Sequence, residues 1–216
     1  MSRYDTLDAL KHKRRTFEGS ISVICGPMYA GKTTQLMKKA RKHRYANKKV
    51  LVVKPSIDDR FGKNEAVSHD NIRMDAVSLN LLSDCFSMID DFDVICIEEG
   101  QFFHDLTISS DLLANMGKHV IISMLNGTFE RTKFPLSDSN NIFCIADDII
   151  MLKAVCVECG NNAVYSKLKN ETKHRDNGLI FGSIAIEKNP ENDNQILQEE
   201  FTYIPLCRKC FFITKK

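Results

Sequence analysis

The stretch GPMYAGKT at 26–33 fits G-x-x-x-x-G-K-[ST] and directly follows the short apolar run ISVIC at 21–25. No other feature constrains the fold of this chain as strongly. The apolar run reads as a buried strand, and the residues from Lys32 to about Asn47 read as a helix. Between them, Gly26 and Gly31 let the backbone curl so that the N–H groups of Gly26, Pro27-flanked Met28, Tyr29, Ala30 and Gly31 face phosphate oxygens. Lys32 adds a positive charge at the outer phosphates, and the hydroxyl of Thr33 can ligate Mg2+.

The remaining chain repeats the strand pattern. KVLVVK (49–54), FDVICIEE (92–99), KHVIISML (118–125) and a stretch near 148–153 are apolar along their length, and IRMDAV adds a minor strand. LNLLSDCFSMI and HDLTISSDLLANMG read as helices, the second ended by Gly117. Apolar strands alternating with helices indicate an α/β fold, a parallel sheet covered on both faces. Residues 1–19 read as a polar, flexible arm carrying the basic run KHKRR, 20–152 as the phosphate-binding domain, and 153–216 as a small second domain. A net charge of +2 makes the chain as a whole no magnet for nucleic acid. No apolar stretch approaches the ~20 residues that span a bilayer, and the first twenty residues lack a signal-peptide core, so a cytoplasmic protein is expected.

The strand at 92–99 ends in two adjacent carboxylates, Glu98 and Glu99. At the C-terminal edge of a parallel sheet they lie beside the phosphate loop. Strand neighbours point to opposite sides, so one acid can help hold Mg2+ while the other accepts a proton from an attacking hydroxyl. Two solvated acids at a strand end are the plainer alternative. Gly100, Gln101 and the pair Phe102-Phe103 follow, and an aromatic ring there can stack on a planar base or simply pack in the core.

Of the eight cysteines, Cys25, Cys85, Cys96 and Cys144 stand singly and read as buried free thiols. Cys156, Cys159, Cys207 and Cys210 form two C-x-x-C pairs. Four thiolates suit tetrahedral Zn2+ in a closed, structural site, while a redox pair or unrelated cysteines are the other readings of the long interval between the pairs.

These blocks together resemble the type II, cytosolic-type thymidine kinase family. The resemblance rests on GPMYAGKTTQLM (26–37), DDRF (58–61), SHD (68–70), IEEGQFF (97–103), LNGTFERTKF (125–134), AVCVECG (154–160) and YIPLCRKC (203–210), in the family's order from about residue 19 to 211. It implies a RecA-like phosphate-loop sheet with a zinc-ribbon and lasso domain at the C-terminus. It implies transfer of the γ-phosphoryl of ATP to the 5′-hydroxyl of thymidine with Mg2+, a structural zinc, inhibition by thymidine triphosphate, a homotetramer, and neither membrane nor nucleic acid as partner. Glu99 matches the catalytic base, and Lys32 and Arg60 match the groups that stabilise the moving phosphoryl. Asp58 and Asp59 lie in the loop used beside the phosphates, so that ATP binding falls to 26–33, 58–60, Glu98, Gly100 and Gln101. Met28, Phe102, Leu125, Phe129, Phe134, Ser166 and Tyr203 match positions around the nucleoside. The four C-x-x-C cysteines match the zinc ligands, and Thr33 and Glu98 the magnesium site.

The chain departs from that pattern in three places. Glu98 stands where the family usually has Asp, and Ser166 where it usually has Thr. QILQEEFTY (195–203) lacks the Gly-Gly of the lasso, and the preceding insert, about 170–194, is longer than usual. A nucleic-acid-dependent ATPase and a nucleotide-binding relative without turnover are the alternatives on sequence alone.

Overall fold

The computed structural model describes residues 19–57, 65–67, 73–134, 141–169, 178–181, 184–187 and 202–213. The N-terminal arm, the segment carrying Asp58, Asp59 and Arg60, and most of the lasso stretch lie outside the described residues. The chain forms two compact units. Among the described residues, the first runs to Cys25 and resumes over Gly31–Met124 and up to Met151. The second takes Gly26–Ala30, Leu125–Phe134 and the chain from Leu152 onward.

The first unit is built on β1 (Ser20–Gly26), β2 (Val50–Pro55), β5 (Val77–Leu79), β6 (Val94–Ile97), β7 (His119–Leu125) and β8 (Asp148–Met151). They form one six-stranded sheet in the order β5-β2-β6-β7-β1-β8. β2 runs parallel to β5 and β6, β6 to β7, and β1 to β8. The short strands β3 (Glu65–Val67) and β4 (Arg73–Asp75) pair antiparallel outside this sheet. The apolar runs read as strands are therefore strands, and the expected minor strand divides into β4 and β5.

Strand alternation sorts the side chains into two faces. Ile21, Val23, Cys25, Leu51, Val53, Ile95, Ile97, Val120, Ile122 and Met124 share one buried cluster with Leu82, Phe103, Leu106, Leu113 and Ile142. Their strand neighbours take the opposite face. Helix α1 (Lys32–Tyr45) packs on β2 and β6, buries Leu36, Met37 and Ala40, and turns Lys38, Arg41, Lys42 and Arg44 to solvent. Helix α2 (Leu106–Asn115) buries Leu106, Leu112 and Leu113.

The stretch LNLLSDCFSMI is not the α-helix that its apolar spacing suggests. It forms two 3-10 segments, Leu82–Ser87 and Ile89–Asp91. Acidic side chains capture its leading amides: Leu81 N–H donates to Asp84 at 3.0 Å, and Leu82 and Ser83 N–H donate to Asp105 at 2.9 and 2.8 Å. Leu82 and Cys85, three residues apart, then point into the core together, as the tighter 3-10 spacing requires.

The second unit consists of small antiparallel ladders. β9 (Ala154–Val155) pairs with β10 (Asn162–Ala163), β11 (Tyr165–Leu168) with β14 (Tyr203–Leu206), and β12 (Gly178–Phe181) with β13 (Ile184–Glu187). A short helix (Arg208–Ile213) closes it. Its small core is Ala154, Cys156, Ala163, Leu206 and Cys207. Of the four single cysteines, Cys25, Cys85 and Cys96 are buried as expected, but Cys144 is exposed: it lies on the one-turn helix Ile142–Ile145, whose inward position belongs to Ile142.

Candidate active site

The phosphate loop has the shape its glycines allow. Gly26 has φ 156°, and a Cβ there would lie 2.6 Å from the Leu152 carbonyl oxygen. Gly31 is left-handed at φ 80°, and Tyr29 joins it at φ 65°. Gly31 caps α1 without a side-chain hydrogen bond, and no acidic residue stands in the first turn. The positive end of a fourteen-residue helix is thus set without an acidic side chain in its first turn, a setting that suits an anion.

Beside that helix start, β6 delivers the acids. Ile97 pairs with Val53 on β2 and with Ile122 on β7. All three belong to one face, so Glu98 and Ser123, one step further, lie on the α1 face. Glu98 is buried and accepts hydrogen bonds from the Thr33 hydroxyl on α1 and the Ser123 hydroxyl on β7. Burial pushes its carboxyl up to about 7, and the charge of Glu99 adds to this. The bonds from Ser123 and Thr33 and the charge of Lys32 act the other way. A hydroxyl and a carboxylate meeting at a phosphate loop are the hard oxygen donors that suit Mg2+. The solvated-acid alternative does not describe Glu98.

Glu99 is separated from Glu98 by a turn, not by strand alternation. β6 ends at Ile97, and Glu99 takes a left-handed conformation, φ 49° and ψ 44°, ahead of a 3-10 turn over Gly100–Phe102. That conformation costs a side-chain-bearing residue about 1 kcal/mol. The Gln101 amide donates to the half-buried Glu99 carboxylate at 2.6 Å, and Gln101 itself is buried. Gly100 admits no side chain, since a Cβ would come within 2.7 Å of Ile122. The result is a half-exposed carboxylate with a fixed orientation, able to accept a proton.

The residues expected around a nucleoside divide between the units. Phe102 belongs to the first. Met28, Leu125, Phe129, Phe134, Ser166 and Tyr203 belong to the second. There, Met28 N–H donates to the Ser166 hydroxyl at 2.9 Å, so the serine keeps a backbone-holding role without threonine's methyl. Asn126 N–H donates to the Gly26 carbonyl at 3.3 Å, and its side-chain amide to the Val164 carbonyl at 3.1 Å. The Phe129 and Tyr203 rings lie 6.4 Å apart at 53°. Tyr203 is buried, and its hydroxyl has no hydrogen-bond partner among the described residues.

The ligand sulfurs of Cys156, Cys159, Cys207 and Cys210 all lie within 4.8 Å of one another. Zn–S bonds of ~2.3 Å give a tetrahedron with edges of about 3.8 Å, and the Cys159 and Cys207 sulfurs are 3.7 Å apart. Tight turns form both knuckles: Gly160 N–H donates to the Cys156 carbonyl at 2.9 Å, and Cys210 N–H to the Cys207 sulfur at 3.4 Å. Distances, donor type and turns fit a closed zinc site.

Sequence reasoning missed three residues. Ser123 stands as a lone hydroxyl within the apolar run IISML, which was its only signal. Asn126 ties the loop after β7 to Gly26 and Val164. Lys54 is buried, 2% exposed, at the end of β2, on the same face as Glu98 by the Val53–Ile97 register. A lysine at the end of an apolar strand, followed by proline, was its only mark.

Comparison with known proteins agrees with this geometry. A family model described as thymidine kinase matches residues 19–211. The chain is 38% identical over 195 residues to a thymidine kinase of sheeppox virus, covering 90% of this chain and 98% of that protein. It is 39% identical to thymidine kinase 1 of Dictyostelium discoideum, covering 89% of this chain and 78% of that protein. It is 35% identical to the cytosolic thymidine kinase of Cricetulus griseus, covering 90% and 74%. Sharing a third or more of its residues with such proteins along most of its length, the chain belongs to the thymidine kinase family.

Proposed function

We propose that this chain transfers the γ-phosphoryl group of ATP to the 5′-hydroxyl of thymidine, giving dTMP for DNA precursor synthesis. The observation that carries this reading is the division of the two acids. Glu98 is buried against Thr33 at the start of α1, and Glu99 is turned away by its own left-handed backbone and held by Gln101. Glu98 and Thr33 would hold Mg2+, which would supply positive charge against the phosphates of the bound nucleotide. The loop 26–33 cradles the phosphates, and by family resemblance Gly100 and Gln101 contribute to the same nucleotide site. Lys32 and, by family resemblance, Arg60 with Asp58 and Asp59 stabilise and position the moving phosphoryl group. Glu99 accepts the proton of the 5′-hydroxyl. By family resemblance, Met28, Phe102, Leu125, Phe129, Phe134, Ser166 and Tyr203 are assigned to the nucleoside, and the Tyr203 hydroxyl, without a partner among the described residues, is the kind of group that a polar ligand satisfies. Zinc on the four cysteines is structural.

A cytoplasmic location, a homotetramer and inhibition by thymidine triphosphate belong to the same proposal on the strength of the family. Among the described residues, no helix is long and apolar enough to cross a membrane. The nucleic-acid-dependent ATPase alternative is not favoured, because the family match extends through the C-terminal unit as well as the phosphate loop. The test is phosphoryl transfer from ATP·Mg2+ to a panel of nucleosides by zinc-replete protein. Thymidine among the phosphorylated nucleosides is the expected result. Transfer to other nucleosides alone would overturn the substrate assignment, and ATP binding without transfer to any would overturn the enzyme assignment.

A further inference from the structure

The Glu98 carboxylate is held from two sides. Its backbone is held as a continuation of β6, with Glu98 N–H donating to the Val53 carbonyl at 2.9 Å. Its side chain enters the α1 face between β2 and β7, where it is 5% exposed. One oxygen, Oε2, accepts from Ser123 Oγ, and the other, Oε1, accepts from Thr33 Oγ1. Ser123 is 1% exposed and stands on the adjacent strand, one register step past the Ile97–Ile122 pair. Neighbouring strands lie about 4.8 Å apart, so a serine hydroxyl reaches the end of a glutamate directly. Such a bond to a charged acceptor in a buried site is strong and directional. It restrains the carboxylate, and the oxygen it does not hold is the one at Thr33.

We propose that Ser123 is a positioning residue for the metal–phosphate site, anchoring one oxygen of Glu98 so that the other stays at Thr33, where the Mg2+ of the bound nucleotide is held. The proposal rests on the reading of Thr33 and Glu98 as the magnesium pair of a kinase. Ser123 touches neither substrate nor metal and acts through Glu98. Shortening the acid by one methylene draws the carboxylate back toward β6, so Glu98→Asp is expected to weaken this anchor.

The test is binding of a fluorescent N-methylanthraniloyl ADP to the full zinc-loaded chain, with Mg2+ titrated and with EDTA. The variants are Ser123→Ala, Ser123→Thr, Glu98→Asp and the double variant Glu98→Asp/Ser123→Ala. Ser123→Ala is expected to raise the Mg2+ concentration at half-effect about 10-fold, the factor one bond to a charged group contributes. Affinity in EDTA is expected to stay as in the wild type, and Ser123→Thr, which keeps the hydroxyl, to restore the Mg2+ response. In the Glu98→Asp background, Ser123→Ala is expected to add clearly less than it does alone, because the anchor is already weakened. Should Ser123→Ala not fold, Ser123→Cys, a near-isosteric and weaker donor, is expected to give an intermediate shift. An unchanged Mg2+ response in Ser123→Ala, an equal loss with and without Mg2+, or full additivity with Glu98→Asp overturns the proposal. A wild-type protein whose nucleotide affinity ignores Mg2+ overturns the magnesium pair itself, and with it the proposal.

Discussion

Replacing Tyr203 by Phe removes a single oxygen and has opposite expected effects on stability and on substrate affinity. Tyr203 is 3% exposed on β14, tilted against Phe129, and its hydroxyl has no partner among the described residues. Burial also pushes the phenol above its ordinary pKa, so the group stays protonated and remains a donor in search of an acceptor. Leaving a buried hydroxyl unsatisfied costs about 1–3 kcal/mol. Tyr203→Phe relieves that cost while keeping the ring and its packing, so the ligand-free protein is expected to gain about 1 kcal/mol. For a chain of this size that corresponds to a rise of about 2–4 °C in Tm. If the hydroxyl serves the nucleoside, the same change deletes one neutral hydrogen bond of about 0.5–1.5 kcal/mol, and KM for thymidine rises about 2- to 12-fold. The assays are differential scanning calorimetry without ligand and steady-state kinetics at saturating ATP. A variant that melts lower than the wild type would refute the reasoning, because the hydroxyl would then be satisfied within the protein. An unchanged KM would remove Tyr203 from the nucleoside site.

With zinc held by the four cysteines as proposed, chelation is expected to loosen the second unit, whose small core of Ala154, Cys156, Ala163, Leu206 and Cys207 includes two of them. Thiol titration reads this directly. Cys144 is exposed and should react in the loaded protein, Cys85 and Cys96 are pushed up to about 12 by burial and should not, and the four zinc cysteines should become reactive only after chelation. Arg131 sits at φ 63° with its guanidinium 4.5 Å from the Phe212 ring centre and 4.9 Å from that of Phe211, tying the loop after β7 to the last helix. Arg131→Ala is expected to destabilise by about 1–2 kcal/mol through the lost ring contacts. Arg131→Gly is expected to recover about 1 kcal/mol of that loss by relieving the left-handed strain, and equal melting of the two variants would contradict this account of the turn.

The parts of this molecule that were legible in sequence are those where a residue type is demanded locally. Gly26 and Gly31 mark the loop because a Cβ or an ordinary φ is forbidden there, and an apolar run in front of them can only be a buried strand. The C-x-x-C pairs are legible because a thiolate knuckle needs that spacing. What escaped depends on register and on turns. Ser123 becomes meaningful only when β6 and β7 align Ile97 with Ile122 and set it beside Glu98. Lys54 reaches the same face only through the Val53–Ile97 pairing. The separation of Glu98 from Glu99 was expected for the wrong reason, since a left-handed turn, not strand alternation, divides them. The 3-10 path of residues 82–91 was hidden because its first amides are capped by Asp105, distant in sequence, a contact that the apolar spacing does not reveal.

The most direct measurement is dTMP formation from ATP and thymidine by the wild-type chain and by Glu99→Gln, side by side, with nucleotide affinity measured on both. The wild type is expected to form dTMP. The variant, whose amide keeps the shape but cannot take the proton, is expected to bind ADP as tightly and to lose about 10^2- to 10^4-fold in turnover. Absence of dTMP from the wild type, or undiminished turnover in Glu99→Gln, would contradict the assignment of a thymidine kinase whose proton acceptor is Glu99.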